Sequence, residues 1–211
     1  MNPNFKNFKE SILKRFRKPI PVRKLVVTAM MAAIATVLMM LEFPVPVMPP
    51  FVKLDFSELP ALIVSFTFGP LYGILVCLVK NLINLPFTTS MGVGELCNFL
   101  LGVCFVLPAG LIYKKHKSFK GAITGSTIGT TFMALLSLPL NYFLTYPIYM
   151  KFTSEDAILV MYRAIYPGTK SLLHALTIFN IPFTFVKGLF SVIITFLIYK
   201  HISPILKGIR R

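Results

Sequence analysis

Apolar residues run along this chain in long blocks, separated by short polar or proline-rich breaks. The blocks cover residues 25–41, 57–68, 70–85, 95–113, 121–149 and 172–200. The first, Leu25 to Leu41, carries no charge at all. Unbroken runs point to helices in lipid, because the strands of a membrane barrel alternate between lipid-facing and lumen-facing residues. The pattern predicts an all-α fold, a polytopic membrane bundle of six transmembrane helices. A bilayer needs about 20 apolar residues per helix, so the second and third blocks are short. They also read as one span of about 24 residues kinked at Gly69–Pro70. An apparent leader cleavage site, Ala33-Ile-Ala35, is set aside because the apolar run continues past it.

Charge decides between six spans and five. The net charge is +15, from 22 Lys and Arg against 7 Asp and Glu. With six spans, the segments 1–24, 114–120 and 200–211 fall on one side and carry eight, four and four basic residues. The other side holds four, namely Lys53, Lys151, Arg163 and Lys170. Basic residues collect on the cytoplasmic side, so both termini are expected there. The expected organisation is a basic segment 1–24, a six-helix domain 25–200 and a basic tail 201–211. With 55% hydrophobic and only 14% charged residues, a soluble domain, which has about 25% charged residues, is excluded. Cys77, Cys97 and Cys104 all lie in apolar blocks, without a metal-binding or disulfide spacing.

The chain lacks the signatures of an enzyme or a motor. It contains no GxxxxGK[ST] phosphate loop, no HExxH and no GxSxG. Its polar residues cluster instead on helix faces. Asn180, Thr184, Lys187 and Ser191 share a face of the last block, at spacings of four, three and four. Ser137, Asn141 and Thr145 do the same in the fifth block, and Glu95 and Asn98 open the fourth. Lys187 lies too deep to reach the cytoplasmic interface easily, and a buried ammonium needs a partner. Two readings stay open: a Lys187–carboxylate pair that holds helices together, or a ligand site. Lys80 is nearer a helix end, where it can snorkel. Residues 42–56 contain four prolines between apolar residues, which suits a cover better than a free connector. The 150–171 connection is polar, with Tyr162 and Tyr166 as interface candidates. Ala29 and Ala33, and Gly121, Gly125 and Gly129, are small residues four apart that permit close helix approach. Packing within the bundle is one reading of both sets.

Several stretches together resemble a known family. They are Pro49-Pro-Phe-Val-Lys-Leu-Asp-Phe-Ser-Glu-Leu-Pro-Ala61, Phe68-Gly-Pro70, Lys80-Asn81, Gly92-Val-Gly-Glu-Leu-Cys-Asn-Phe-Leu-Leu-Gly102, Asn141-Tyr-Phe and Ile181-Pro-Phe-Thr-Phe-Val-Lys-Gly188. In this order they resemble the riboflavin-specific substrate-binding subunits of energy-coupling factor transporters, from about residue 24 to 200. The resemblance implies a six-helix subunit, not an enzyme, that binds riboflavin from outside and needs no cofactor of its own. It implies docking on a transmembrane coupling protein and two cytoplasmic ATPases, in the cell membrane of a Gram-positive prokaryote. Asn141 and Lys187 match polar ligand contacts. Thr184 stands where relatives are expected to carry Asn, and its hydroxyl gives one donor rather than an amide's two. Lys53, Asp55, Glu95 and Asn98 sit in matching motifs, and Asn180 joins them through its helix face. Ala29 and Ala33 match the first-helix Ala-x-x-x-Ala used for docking. A same-family subunit for another heterocycle, a membrane enzyme and a structural subunit are the rival readings.

Overall fold

The computed structural model describes residues 22–88 and 90–207. Most of the two basic terminal segments, residues 1–21 and 208–211, lies outside the described residues. Helix α1 spans Val22–Met40. A short antiparallel hairpin follows, with β1 (Phe43–Pro44) paired to β2 (Lys53–Leu54) so that Phe43 faces Leu54. Next come α2 (Glu58–Phe68), α3 (Pro70–Asn84) and a 3₁₀ turn, Leu85–Phe87. Helix α4 spans Val93–Lys115 and α5 spans Phe119–Leu140. Helix α5 continues through a π turn, Asn141–Thr145, into α6 (Tyr146–Tyr149). The remaining elements are α7 (Glu155–Ile165), α8 (Leu172–Ala175), a second π turn (Leu176–Asn180) and α9 (Ile181–Lys207).

Five of these rods are long and apolar enough to cross a bilayer: Val22–Met40, Pro70–Phe87, Val93–Lys115, Phe119–Tyr149 and Leu172–Tyr199. The sixth expected span, α2, has only eleven residues, or about 16 Å at about 1.5 Å each. It is not lipid-facing. Every residue from Glu58 to Phe66 is buried, and α2 packs against α1, α3, α4 and α9. A helix that is apolar all round belongs in a core, and α2 is the core of this bundle. The one-kinked-span reading fails at Gly69. Its φ of 110° is open to glycine and closed to most residues, and Pro70 then starts a new helix. Helix α3 folds back on α2 so closely that a Cβ on Gly73 would lie 2.8 Å from Ala61 O.

The two small-residue sets part company. A Cβ on Gly125 would lie 2.7 Å from Ala109 O, and one on Gly129 2.5 Å from Phe105 O. The glycine stripe therefore seats α5 against α4, as the packing reading expects. Ala29 and Ala33 are exposed, and the buried face of α1 is Thr28, Met31, Ala32, Ala35, Thr36 and Met39. Packing inside the bundle is thus excluded for the alanine pair. Within the polar 150–171 connection, Ser154 caps α7 by accepting from Ala157 N. Tyr162 is fully buried rather than interfacial, while Tyr166 is half exposed.

Candidate functional site

One cavity opens at the end of the bundle that carries the hairpin. Its wall is formed by the hairpin stem, α2, the start of α4, both π turns and the start of α9. All eight candidate ligand residues line it. Lys53 and Asp55 come from the hairpin strand and its exit, Glu95 and Asn98 from α4, Asn141 and Asn180 from the π turns, and Thr184 and Lys187 from α9.

The two π turns have a common cause. Pro147 and Pro182 lack the N–H that would close a regular turn, and their rings crowd the preceding backbone. The residue before each proline bonds one residue further back instead: Tyr146 N donates to Asn141 O, and Ile181 N donates to Leu176 O. Each widening begins or ends at an asparagine of the cavity wall. The Asn141 amide is half committed, since Nδ2 donates to Ser137 O at 2.7 Å. Its Oδ1 meets only the Cys97 thiol, at 3.7 Å, so it offers an acceptor to the cavity. Asn180 Oδ1 accepts from Tyr162 OH at 2.9 Å, and Tyr146 OH lies 2.6 Å from Tyr162 OH. Burial pushes the Tyr162 phenol up to about 12, so it stays a donor at working pH.

Lys187 makes the carboxylate pair and also lines the cavity. Its ammonium lies 2.8 Å from Asp55 Oδ2 and 3.4 Å from Glu58 Oε2, while its side chain still edges the cavity. The second distance is that of an ion pair without a hydrogen bond, since Glu58 Oε2 accepts none. Lys80 does not snorkel. It is fully buried, donates to Ser57 Oγ, and pairs with Glu58 Oε1 at 3.0 Å. Ser57 donates to Asp55 Oδ1 from its backbone at 2.8 Å and also from its hydroxyl. The groups close a ring, Lys187–Asp55–Ser57–Lys80–Glu58, with two charges of each sign. Burial alone would raise the Asp55 carboxyl, but Lys187 and Lys80 outweigh it and hold Asp55 well below the usual carboxylate range.

The other acids are placed differently. Glu95 Oε2 accepts from Thr88 Oγ1 at 2.7 Å and Ser90 Oγ at 3.0 Å, and Oε1 lies 3.4 Å from Asn84 Nδ2. Asn98 Oδ1 accepts from Asn81 Nδ2 at 3.3 Å. Lys53 pairs with Glu42 at the partly exposed rim. Phe51, from the hairpin tip, packs edge-on to Tyr146 and Tyr162, with ring centres 6.4 and 6.2 Å away. Glu58, Lys80, Ser57 and Thr88 were missing from the candidates. Ser57, Glu58 and Lys80 lay inside the quoted motifs, and the charge of Lys187 demanded an acid without naming Glu58, while Thr88 had no signal.

A mostly apolar helical bundle with one cavity, a few directional polar groups and a proline-stiffened cover is a membrane-embedded small-molecule binder. The family model described as "ECF transporter, substrate-specific component" matches residues 23–199, and the chain belongs to that family. It is a multi-pass membrane component of a transporter, not an enzyme. It is 40% identical over 188 residues to "Riboflavin transporter RibU" of Staphylococcus aureus (strain TCH60), covering 89% of this chain and 94% of that one. It is 36% identical over 186 residues to "Riboflavin transporter FmnP" of Bacillus subtilis (strain 168), covering 87% and 93%. A solved structure described as "Structure and mechanism of the S component of a bacterial ECF transporter" superposes with a TM-score of 0.69 at 38% identity, over 87% of this chain and 97% of that one.

Proposed function

We propose that this chain is the riboflavin-binding subunit of an energy-coupling factor uptake transporter in the cell membrane of a Gram-positive prokaryote. The observation that carries the reading is the convergence of Asn141, Asn180, Thr184 and Lys187 on one cavity, opposite Glu95 and Asn98. Riboflavin needs such a mixed wall. Its ring offers carbonyl and ring-nitrogen acceptors and one imide donor, and its ribityl chain is a run of hydroxyls. The Lys187 ammonium and Thr184 hydroxyl serve the acceptors, Asn141 Oδ1 serves the imide, and the acceptor-rich Glu95 side suits hydroxyls. The names of the relatives from S. aureus and B. subtilis support the same ligand.

In this reading both termini are cytoplasmic, the cavity faces outward, and the hairpin of residues 42–56 covers the ligand. The exposed Ala29 and Ala33 of α1 meet a transmembrane coupling protein, whose two ATPases supply the energy. Purified protein from riboflavin-replete cells should be yellow, and stripped protein should quench flavin fluorescence on titration. Colourless protein that leaves flavin emission unchanged would overturn the ligand assignment, and a different vitamin that raises the melting temperature would replace it.

A further inference from the structure

Helix α7 buries one face and leaves a second apolar face uncovered. With about 3.6 residues per turn, Ile158, Leu159 and Tyr162 share the buried face, against Tyr146, Leu172 and Leu176. Val160, Met161 and Ala164 lie on the opposite side, and Val160 and Met161 are 61% and 40% exposed. The exposed Asp156 and Arg163, two turns apart, mark a polar edge between the two faces. Just outside the helix, Phe152 and Tyr166 are 60% and 50% exposed.

Isolated surface hydrophobes are ordinary. Val160 and Met161, adjacent on the face opposite the core, form an uncovered apolar stripe, and exposed Phe152 and Tyr166 flank the helix in sequence. In sequence, α7 lies between two rods that are long and apolar enough to span the bilayer. The rod before α7, Phe119–Tyr149, carries Phe143 75% exposed in its last two turns, and the rod after it, Leu172–Tyr199, carries Leu173 46% exposed in its first. The connection also carries Lys151, Arg163 and Lys170 against Glu155 and Asp156, an excess of one cation beside lipid phosphates. A helix with an apolar stripe beside a charged edge lies in the interfacial plane.

We propose that α7 is an interfacial helix, seated by Val160, Met161 and Ala164 in the lipid headgroup layer at the cavity end of the bundle. Its opposite face then matters. Tyr162 binds Asn180 and Tyr146, both of the cavity wall, and packs on Phe51 of the hairpin. Lipid seating of α7 therefore fixes the wall and the aromatic contact of the cover. The proposal is independent of the identity of the ligand.

The chain contains no Trp, so one introduced Trp reports its own surroundings. Val160→Trp and Asp156→Trp proteins would be reconstituted in phosphatidylcholine–phosphatidylglycerol vesicles, with and without a fraction of lipid brominated near the headgroup end of the acyl chain. Val160→Trp should show blue-shifted emission that brominated lipid strongly quenches, while Asp156→Trp should emit as in water and lose little. Water-like, unquenched emission at both positions would overturn the proposal. Equal quenching at both would overturn the assigned orientation. Met161→Trp reads the same stripe if Val160→Trp does not fold, and none of these readouts uses flavin.

Discussion

At the scale of single residues, the ring around Lys187 sets what each substitution can report. Removing one member of a buried ion pair strands the other, at a cost of about 3–5 kcal/mol. Lys187→Ala leaves the Asp55 and Glu58 carboxylates to the single ammonium of Lys80, so it should lower the melting temperature sharply as well as abolish flavin binding. It is therefore a poor probe of ligand contact. Asn141 is the cleaner one. Its loss removes an acceptor that faces the cavity, and the abandoned Ser137 carbonyl keeps its place in the helix backbone. Asn141→Ala should weaken riboflavin binding by roughly tenfold or more, matching about 1–3 kcal/mol for an unpaired buried polar group. Its melting temperature should stay near the wild-type value. A fluorescence titration indistinguishable from wild type would remove Asn141 from the site. Asp55 gives a pH signature with a fixed sign. Its folded pKa lies below the unfolded value of about 3.9, so its contribution is complete above that pH and is lost as pH falls through the acid range. Thermal unfolding of Asp55→Asn should accordingly show a flatter acid limb than wild type. A parallel limb would mean that the ring does not hold the carboxylate ionised.

At the scale of elements, the two proline-linked π turns place the asparagines. Restoring an N–H at residue 147 or 182 allows regular helix, which would rotate the asparagine beside it off the cavity wall. Pro147→Ala and Pro182→Ala should thus hold or raise thermal stability while weakening flavin binding, an uncommon combination. A loss of stability together with binding would show that the prolines serve packing instead. The elements also differ in how far the sequence declared them. Asn180, Thr184 and Lys187 stood out because polar groups at helical spacing in an apolar run must face something polar, and the structure brings them to one cavity. Glu95 and Asn98 stood out in the same way at the start of the fourth block, Lys53 and Asp55 only through motif order, and the cavity gathers all four. Helix α7 was not legible. Its buried face is only three residues wide, and its partners are tertiary. The burial of α2 was hidden because a core helix and a lipid-facing helix are equally apolar in sequence. Lys80 looked able to snorkel because its partner, Glu58, is 22 positions away.

At the scale of the whole molecule, the proposed ligand cavity and the proposed docking face are separate surfaces. The cavity occupies one end of the bundle. The outward side of α1 presents Ala29 and Ala33 among exposed Leu25, Val26, Met30 and Val37. None of these residues lines the cavity, and the adjacent face, through Ala32 and Ala35, is sealed into the core at 1% and 0% exposure. A coupling protein that approaches closely over small residues would be held off by a large side chain. Ala33→Trp should therefore abolish riboflavin uptake in cells and co-purification with the coupling module. Flavin binding and thermal stability of the isolated subunit should match wild type, because residue 33 lies on the exposed side of α1. Ala32→Trp is the built-in contrast, one residue away and buried, and it should overpack the core and lower stability and binding together. If Ala33→Trp also lost flavin binding, the exposed face of α1 would be serving the fold rather than a partner. If uptake survived intact, docking would have to use another surface of the bundle.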